Sequence, residues 1–397
     1  MATLKHWIWL AQIPGVGVRQ KLALLQAFHD PEAVFYAQRD QRLQVPGMTP
    51  ALADLLERTP AGAADPILAD CDRLGLRMLT IQDAAYPDRL RNIADPPLLL
   101  YVQGRMPVFD DEPALAMVGS RRASAYALET GERLSAELAD MGALIVSGLA
   151  AGADAAAHRG ALRSGGFTAA VIGNGHDVLY PRECRSLYED IAVQGVILSE
   201  YPPGTDPLPR NFPARNRIIS GLSLAVTVTE APLRSGALIT AGLALEQGRD
   251  VFVVPGHLYD PRCAGGLRLL EEGAAPVAGA WSILRPYADR FPDKIRPPRD
   301  CQAPPPVPAR REAGPREEPP APRPQAPALR LDDAGGLTDD QRRIVRALGE
   351  RTMQVDDLIE AVQIPTHRVL SALTVLEVNQ IVTQDSGKRF SLAVTLQ

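Results

Sequence analysis

Ala114-Leu115-Ala116-Met117-Val118-Gly119-Ser120-Arg121-Arg122 is the stretch that decides the fold of this chain. Five apolar residues run without polar alternation, as a parallel strand covered on both faces does, and then give way to small residues and two cations. The pattern recurs. Apolar runs follow at 143–146, 168–172, 196–198, 224–229 and 251–254, and helical patterns separate them at 127–141, 153–164, 183–192 and 237–247. Alternation of this kind predicts an α/β fold, an extended Rossmann-like doubly wound parallel sheet with right-handed crossovers. Upstream, 77–81 and 98–102 are short extended pieces around the Tyr86-Pro87 turn and the Asp95-Pro96-Pro97 break, and they read as strands added to the same sheet.

The flanks read differently. Before the sheet, Ile13-Pro14-Gly15-Val16-Gly17 is echoed by Val45-Pro46-Gly47-Met48-Thr49, each ahead of an apolar-periodic run. This predicts an N-terminal all-α domain of helix-hairpin-helix (SAM-like) type over residues 1–68, in which glycine lets helix-start N–H groups approach a phosphate. Arg19 and Lys21 follow the first turn, and the alternative is that the glycines only make turns. The sheet domain then takes 69–285, and a proline-rich linker, 286–336, is expected to be an extended, largely disordered tether. Residues 337–397 restore order: Thr338 as N-cap of a helix at 339–348, helices at 355–362 and 366–377, and a hairpin of 381–383 with 389–392 turning at Ser386-Gly387. Three helices and a hairpin make a winged helix. Its third helix carries His367 and Arg368 but few other cations, so DNA binding and protein contact both stay open for this module.

A formal net charge of -5 excludes a protein that coats nucleic acid by bulk charge, so an anionic ligand has to meet a local basic patch. The four cysteines form no CxxC pair, which points away from a zinc site and a disulfide framework. Neither a secretory signal nor a membrane-length apolar window is present, and a cytoplasmic protein without a membrane partner is expected.

In open α/β sheets, ligands bind beyond the carboxyl ends of the strands. Those ends read Gly119-Ser120-Arg121-Arg122, Ser147-Gly148-Leu149-Ala150, Gly173-Asn174-Gly175, Ser199-Glu200-Tyr201, Glu230 with Ser235-Gly236, and Pro255-Gly256-His257. Small residues and helix starts favour phosphate. The dinucleotide fingerprint G-x-G-x-x-G and the P-loop lysine motif are both missing, so no cofactor is expected. Arginines at the first turn offer forked donors to a phosphodiester, and Phe212 can stack on a base, which together favour single-stranded nucleic acid. Phe212 opens Phe212-Pro213-Ala214-Arg215-Asn216-Arg217-Ile218-Ile219-Ser220-Gly221, whose arginines have the alternative reading of a helix-start salt-bridge network.

Val118-Gly119-Ser120-Arg121, Ser147-Gly148-Leu149-Ala150 with Ala157-His158, Tyr180-Pro181, Ser199-Glu200-Tyr201-Pro202, the run from Phe212 to Ser223, and Gly248-Arg249-Asp250-Val251 through Pro255-Gly256 resemble the DNA processing protein A family (DprA, also called Smf) over nearly the whole chain. The resemblance implies a protein without a catalytic reaction that binds single-stranded DNA, forms a homodimer and loads the RecA recombinase in natural transformation and recombination. A single-stranded DNA-binding protein is a further partner it suggests. Carried over, the DNA-binding residues are Gly119, Ser120 and Arg121 as a phosphate cradle, Gly148, Arg215 and Asn216 nearby, Phe212 as the stacking ring, and Arg182 and Arg210 as a positive rim. Ala151 departs from the arginine that relatives often carry there. The alternative is a nucleotide phosphoribohydrolase-type enzyme on the same fold, for which Glu230 and Glu246 would be the acids; that family's double-glycine turn is missing. His158 and Asp154 read as structural, because no nucleophile or ligand cluster accompanies them.

Overall fold

A computed structural model describes residues 3–298, 328–329, 337–349, 351–379, 381–385, 389–393 and 395–396. Most of the expected tether and the expected Ser386-Gly387 turn lie outside the described residues. The chain divides into two compact units, 1–305 and 306–397.

The first unit starts with helices α1 (Leu4–Gln12), α2 (Val18–Phe28), α3 (Pro31–Tyr36), α4 (Arg39–Leu43), α5 (Pro50–Arg58) and α6 (Asp65–Leu74). Strand β1 (Arg77–Thr80), short helix α7 (Asp88–Arg91) and strand β2 (Leu99–Gly104) lead into the sheet. There follow β3 (Ala114–Val118), α8 (Ala125–Asp140), β4 (Leu144–Ser147), α9 (Ala153–Arg163), β5 (Thr168–Ile172), α10 (Arg185–Gln194) and β6 (Val196–Ser199). The unit is completed by α11 (Asn211–Gly221), β7 (Ala225–Val228), α12 (Gly236–Glu246), β8 (Asp250–Val253), α13 (Ala264–Glu271), β9 (Ala275–Pro276) and α14 (Ala280–Leu284).

The strand order is β1-β2-β6-β5-β4-β3-β7-β8-β9. β1 and β2 are antiparallel additions at one edge, as the lead-in predicted, and the pairs from β6 to β9 are parallel. From β3 the chain winds outward through β4, β5 and β6; after β6 it crosses back to β7 on the other side of β3. The boundary between β3 and β7 is therefore the topological switch point, where the connecting loops diverge and leave a crevice. Every residue of β3 is buried, and each such large apolar side chain contributes about 1.5–3 kcal/mol by leaving water.

The N-terminal helices do not form a core apart from the sheet. Trp7, Trp9, Leu10, Leu24 and Leu56 share one apolar cluster with Leu100, Val102 and Val118. The expected boundary at 68 falls inside α6, whose Cys71 packs in one cluster with Leu99 and Tyr101 of β2. Gly15 and Gly47 make the two predicted turns with φ of 78° and 80°, where an L side chain is strained. Lys21 departs from its expected role beside a phosphate: it is buried and its Nζ donates to the Ala11 carbonyl at 2.5 Å, closing the end of α1. At the other boundary, Tyr287, Phe291 and Ile295 pack against α8 and α14 residues, so the packed body runs ten residues past 285. Their spacing of four residues keeps all three on one side of the chain.

The second unit holds β10 (Ala328–Leu329), α15 (Asp339–Leu348), β11 (Met353–Gln354), α16 (Val355–Val362), α17 (Thr366–Val378), β12 (Val382–Asp385), β13 (Arg389–Leu392) and β14 (Thr395–Leu396). Thr338 caps α15 and Gln341 completes a capping box. β12 and β13 form the antiparallel wing, joined on the other side of β13 by β11. Ile344, Leu348, Leu358, Val369, Leu373 and Phe390 make a core of its own. Among the described residues no helix is long and apolar enough to cross a membrane.

Candidate nucleic-acid interface

The loops after β3 and β7 enclose a crevice of about 270 Å³ at the switch point. Gly119, Ser120, Arg121 and Arg122 line one side, Arg234, Ser235 and Gly236 the other, and Arg215, Asn216 and Asp154 the floor. The first loop is held by its own backbone: Ser120 N–H donates to the Glu230 carbonyl at 2.9 Å, and the Ser120 carbonyl accepts from Ala153 N–H at 3.2 Å. Arg121 N–H donates to none of the described residues and stays free for an anion. Two glycines allow this closeness. A Cβ at Gly119 would lie 2.4 Å from Thr229 Oγ1, and one at Gly152, whose φ is 82°, would lie 2.4 Å from the Ser120 carbonyl.

The floor is helix α11, which the sequence left among strand-like runs. It is buried on most of its faces, so it shows no polar stripe, and Pro213 sits in its first turn, where its missing N–H costs nothing. Arg215 is only 3% exposed. Its Nη1 donates to the carbonyls of Gly148 and Val171, and its Nε donates to Asn216 Oδ1 at 3.2 Å. Its Nη2 donates to no described residue. Burial pulls the guanidinium down to about 10, partly offset by the charge of Asp154. Burial raises the Asp154 carboxyl, while Arg215 and the N–H groups of Ala150 and Gly148 hold it down.

Gly148 thus differs in place from the expected contact set. It is buried, its carbonyl serves Arg215 and its N–H serves Asp154, and a Cβ there would lie 2.5 Å from the guanidinium nitrogens. Arg217 follows the bland alternative: it is ion-paired to Glu200 at 2.7 Å and to Asp95 at 3.1 Å. Asn216 is 8% exposed and its Nδ2 donates to the Gly236 carbonyl at 3.3 Å, tying the floor to the first turn of α12.

Phe212 is half-buried against Gly173 at the end of β5; it does not line the crevice itself but touches it through Arg121. The Arg121 guanidinium lies 4.7 Å from its ring centroid, and the Tyr180 ring is 5.5 Å away on the same ring. Arg182 and Arg210 are exposed and, among the described residues, form no ion pair; neither lines the crevice. Arg122, read with Arg121 as a first-turn arginine but left out of the contact residues, and Arg234, which the sequence reading passed over, are both exposed and both line it. Their signal was position: each stands in the loop after one of the two strands at the switch point.

The residues weighed for catalysis are engaged elsewhere. Glu230 accepts from Ser124 Oγ at 2.5 Å and Ser124 N–H at 3.1 Å, bracing the N-cap of α8. Glu246 is exposed at the far end of α12. His158 is fully buried with Nδ1 2.7 Å from Thr168 Oγ1, and burial pushes it down to about 3. Among the described residues no group of His, Cys, Asp or Glu could hold a metal ion.

Fold and crevice define a Rossmann-like protein whose switch point is lined by arginines and small residues and carries no dinucleotide fingerprint. A family model described as DNA recombination-mediator protein A matches residues 77–288, and one described as the DprA winged helix domain matches 317–388. Protein Smf of Synechocystis is 33% identical over 403 residues, covering 97% of this chain and 98% of its own. DNA processing protein DprA of Streptococcus pneumoniae is 44% identical over 208 residues, 52% of this chain and 73% of its own. The X-ray structure of DNA processing protein A from Streptococcus pneumoniae superposes with a TM-score of 0.64 at 35% identity, over 72% of this chain and 98% of that one. The chain belongs to the DNA processing protein A (DprA/Smf) family.

Proposed function

We propose that this protein binds single-stranded DNA across the switch-point crevice and, as a cytoplasmic homodimer, delivers it to the RecA recombinase in natural transformation and recombination, without catalysing a reaction. The observation that carries the DNA reading is the unpaired Arg121 stacked on Phe212 beside a free backbone N–H. A phosphate recruits the cation and the N–H, and a base takes the exposed part of the ring. Gly119, Ser120 and Arg121 form the cradle, Arg215 and Asn216 its charged floor, and Gly148 the backbone that seats the floor. Arg182 and Arg210 continue the positive edge beyond Phe212.

The experiment is binding of labelled oligo-dT over a salt series. Arg121→Ala flattens the log-log salt slope by roughly 0.7, the value for one single-strand phosphate. Phe212→Ala costs about 1–3 kcal/mol of affinity and leaves the slope unchanged. Parent-like behaviour of both variants overturns the reading, and release of free base from nucleoside monophosphates would put the hydrolase alternative in its place.

Self-association is supported by exposed apolar residues on α12 and in the loop after β8: Ile239, Leu245, Leu258 and Tyr259, the last 85% exposed. By family resemblance, the stretch at about 257–284 is the expected part of the dimer surface. Sedimentation of Leu245→Glu beside the parent is expected to shift the protein from dimer to monomer. It is also expected to weaken stimulation of RecA filament formation on DNA coated with single-stranded DNA-binding protein. A parent that sediments as a monomer removes the dimer from the proposal.

A further inference from the structure

We infer that the crevice seats two neighbouring phosphates of one strand: one at the Gly119–Arg121 cradle and a second opposite it, held by Arg122, Arg234 and the N–H of Gly236. This rests on the single-stranded DNA reading above and extends it to the β7 side of the switch point, where the sequence marked Ser235-Gly236 as a phosphate-favouring strand end but assigned no contact residue.

Four observations converge there. Arg122 and Arg234 come from loops after strands that are hydrogen-bonded neighbours, about 4.8 Å apart, so both cations face one crevice. Both are exposed and, among the described residues, unpaired, although the chain has 47 acidic residues against 42 basic ones and so no shortage of partners. Gly236 N–H donates to no described residue, and a Cβ at Gly236 would meet nothing within 4 Å, so the space over the first turn of α12 is open. Beneath it, Arg215 is 97% buried by its 3% exposure and presents Nη2 without an acceptor among the described residues. A guanidinium nitrogen without a protein acceptor, on the floor of an open crevice, is a charged donor that an anion can take.

The walls are also rigid. Ser235 caps α12 by accepting from Ala237 N–H at 3.2 Å, and Asn216 fixes that turn to α11. Arg122 N–H donates to Ser120 Oγ at 3.1 Å, which holds the two halves of the first loop together. The second seat is therefore set in place before ligand arrives, and an adjacent phosphodiester is the chemistry that matches two guanidinium forks and a helix-start N–H.

Oligo-dT binding over a salt series tests it, with Arg121→Ala, Arg122→Ala, Arg234→Ala and the Arg122→Ala/Arg234→Ala double variant beside the parent. Because the two arginines share one phosphate, the double variant flattens the slope by roughly 0.7 and not by twice that, and Arg234→Lys keeps the parent slope. A parent-like slope in the double variant, with Arg121→Ala flattened, overturns the second seat and leaves the DNA reading standing. Parent-like slopes in every variant overturn both. A doubled loss in the double variant overturns the shared phosphate. Circular dichroism melting at the parent midpoint confirms folding, as expected for side chains without protein partners.

Discussion

The crevice and the third helix of the winged module are two surfaces read as meeting points for nucleic acid, and they treat their arginines in opposite ways. At the crevice Arg121, Arg122 and Arg234 are exposed and unpaired among the described residues and line one space. On α17 the single arginine, Arg368, is spent on Asp340 at 2.6 Å, and the helix also exposes Leu370, Val375 and Val378. A phosphate arriving at α17 would compete with a carboxylate already in place. What separates the two surfaces is whether a cation is committed inside the protein, which composition does not reveal.

Three perturbations probe that contrast, and the largest lies under the crevice. Arg215→Ala takes the donor from the Gly148 and Val171 carbonyls and the nearby cation from Asp154, and about 1–3 kcal/mol of stability should be lost for each buried group left unsatisfied, read as a lower midpoint for the first unit in calorimetry. An unchanged midpoint would mean that Arg215 does not hold the floor together. Next in size is acid. His158 is pushed down to about 3 and His176 to about 4 by burial. Their folded values lie below the unfolded one, so the stabilisation is complete above about pH 6.5 and is lost as pH falls toward the folded values, by at most about 1.4 kcal/mol per pH unit for each group. Asp154, raised by burial, works in the opposite sense. His158→Gln should therefore shallow the acid limb of a denaturant-midpoint series; equal slopes would remove the histidine from the account. The smallest effect belongs to the winged module. Arg368→Ala breaks a largely exposed pair worth about 0–1 kcal/mol and should leave oligo-dT affinity and its salt slope at parent values. A flattened slope would place a phosphate on α17 and erase the contrast.

The contrast also marks what the sequence could show. Strands β3 and β5 were legible to the residue, because uninterrupted apolar runs bounded by small residues have few other readings. The winged module was equally plain, since Thr338 announces a helix start and three helical runs are followed by two short extended ones. Helix α11 was not, because a helix buried on most sides loses the polar stripe that betrays one. The end of the sheet domain was missed for a related reason: Tyr287, Phe291 and Ile295 are only three apolar anchors in a segment otherwise rich in arginine and proline. As for the site, the loop with Arg121 could be read from its position after a strand. That Arg215 points down into carbonyls, and that Arg234 comes round to face Arg122, depends on the strand order, which puts β7 beside β3 although more than a hundred residues separate them.

Arg215 has a consequence for any measurement made on this protein. Mobile ions gather around exposed charges and are shed when a ligand arrives, and this release is what a salt titration counts. A guanidinium that shows only a few per cent of its surface on the crevice floor gathers few such ions, so its attraction acts as a standing field. Affinity extrapolated to high salt would keep this share of the electrostatics and look chemical in origin, though it comes from a charge fixed in place when the chain folds.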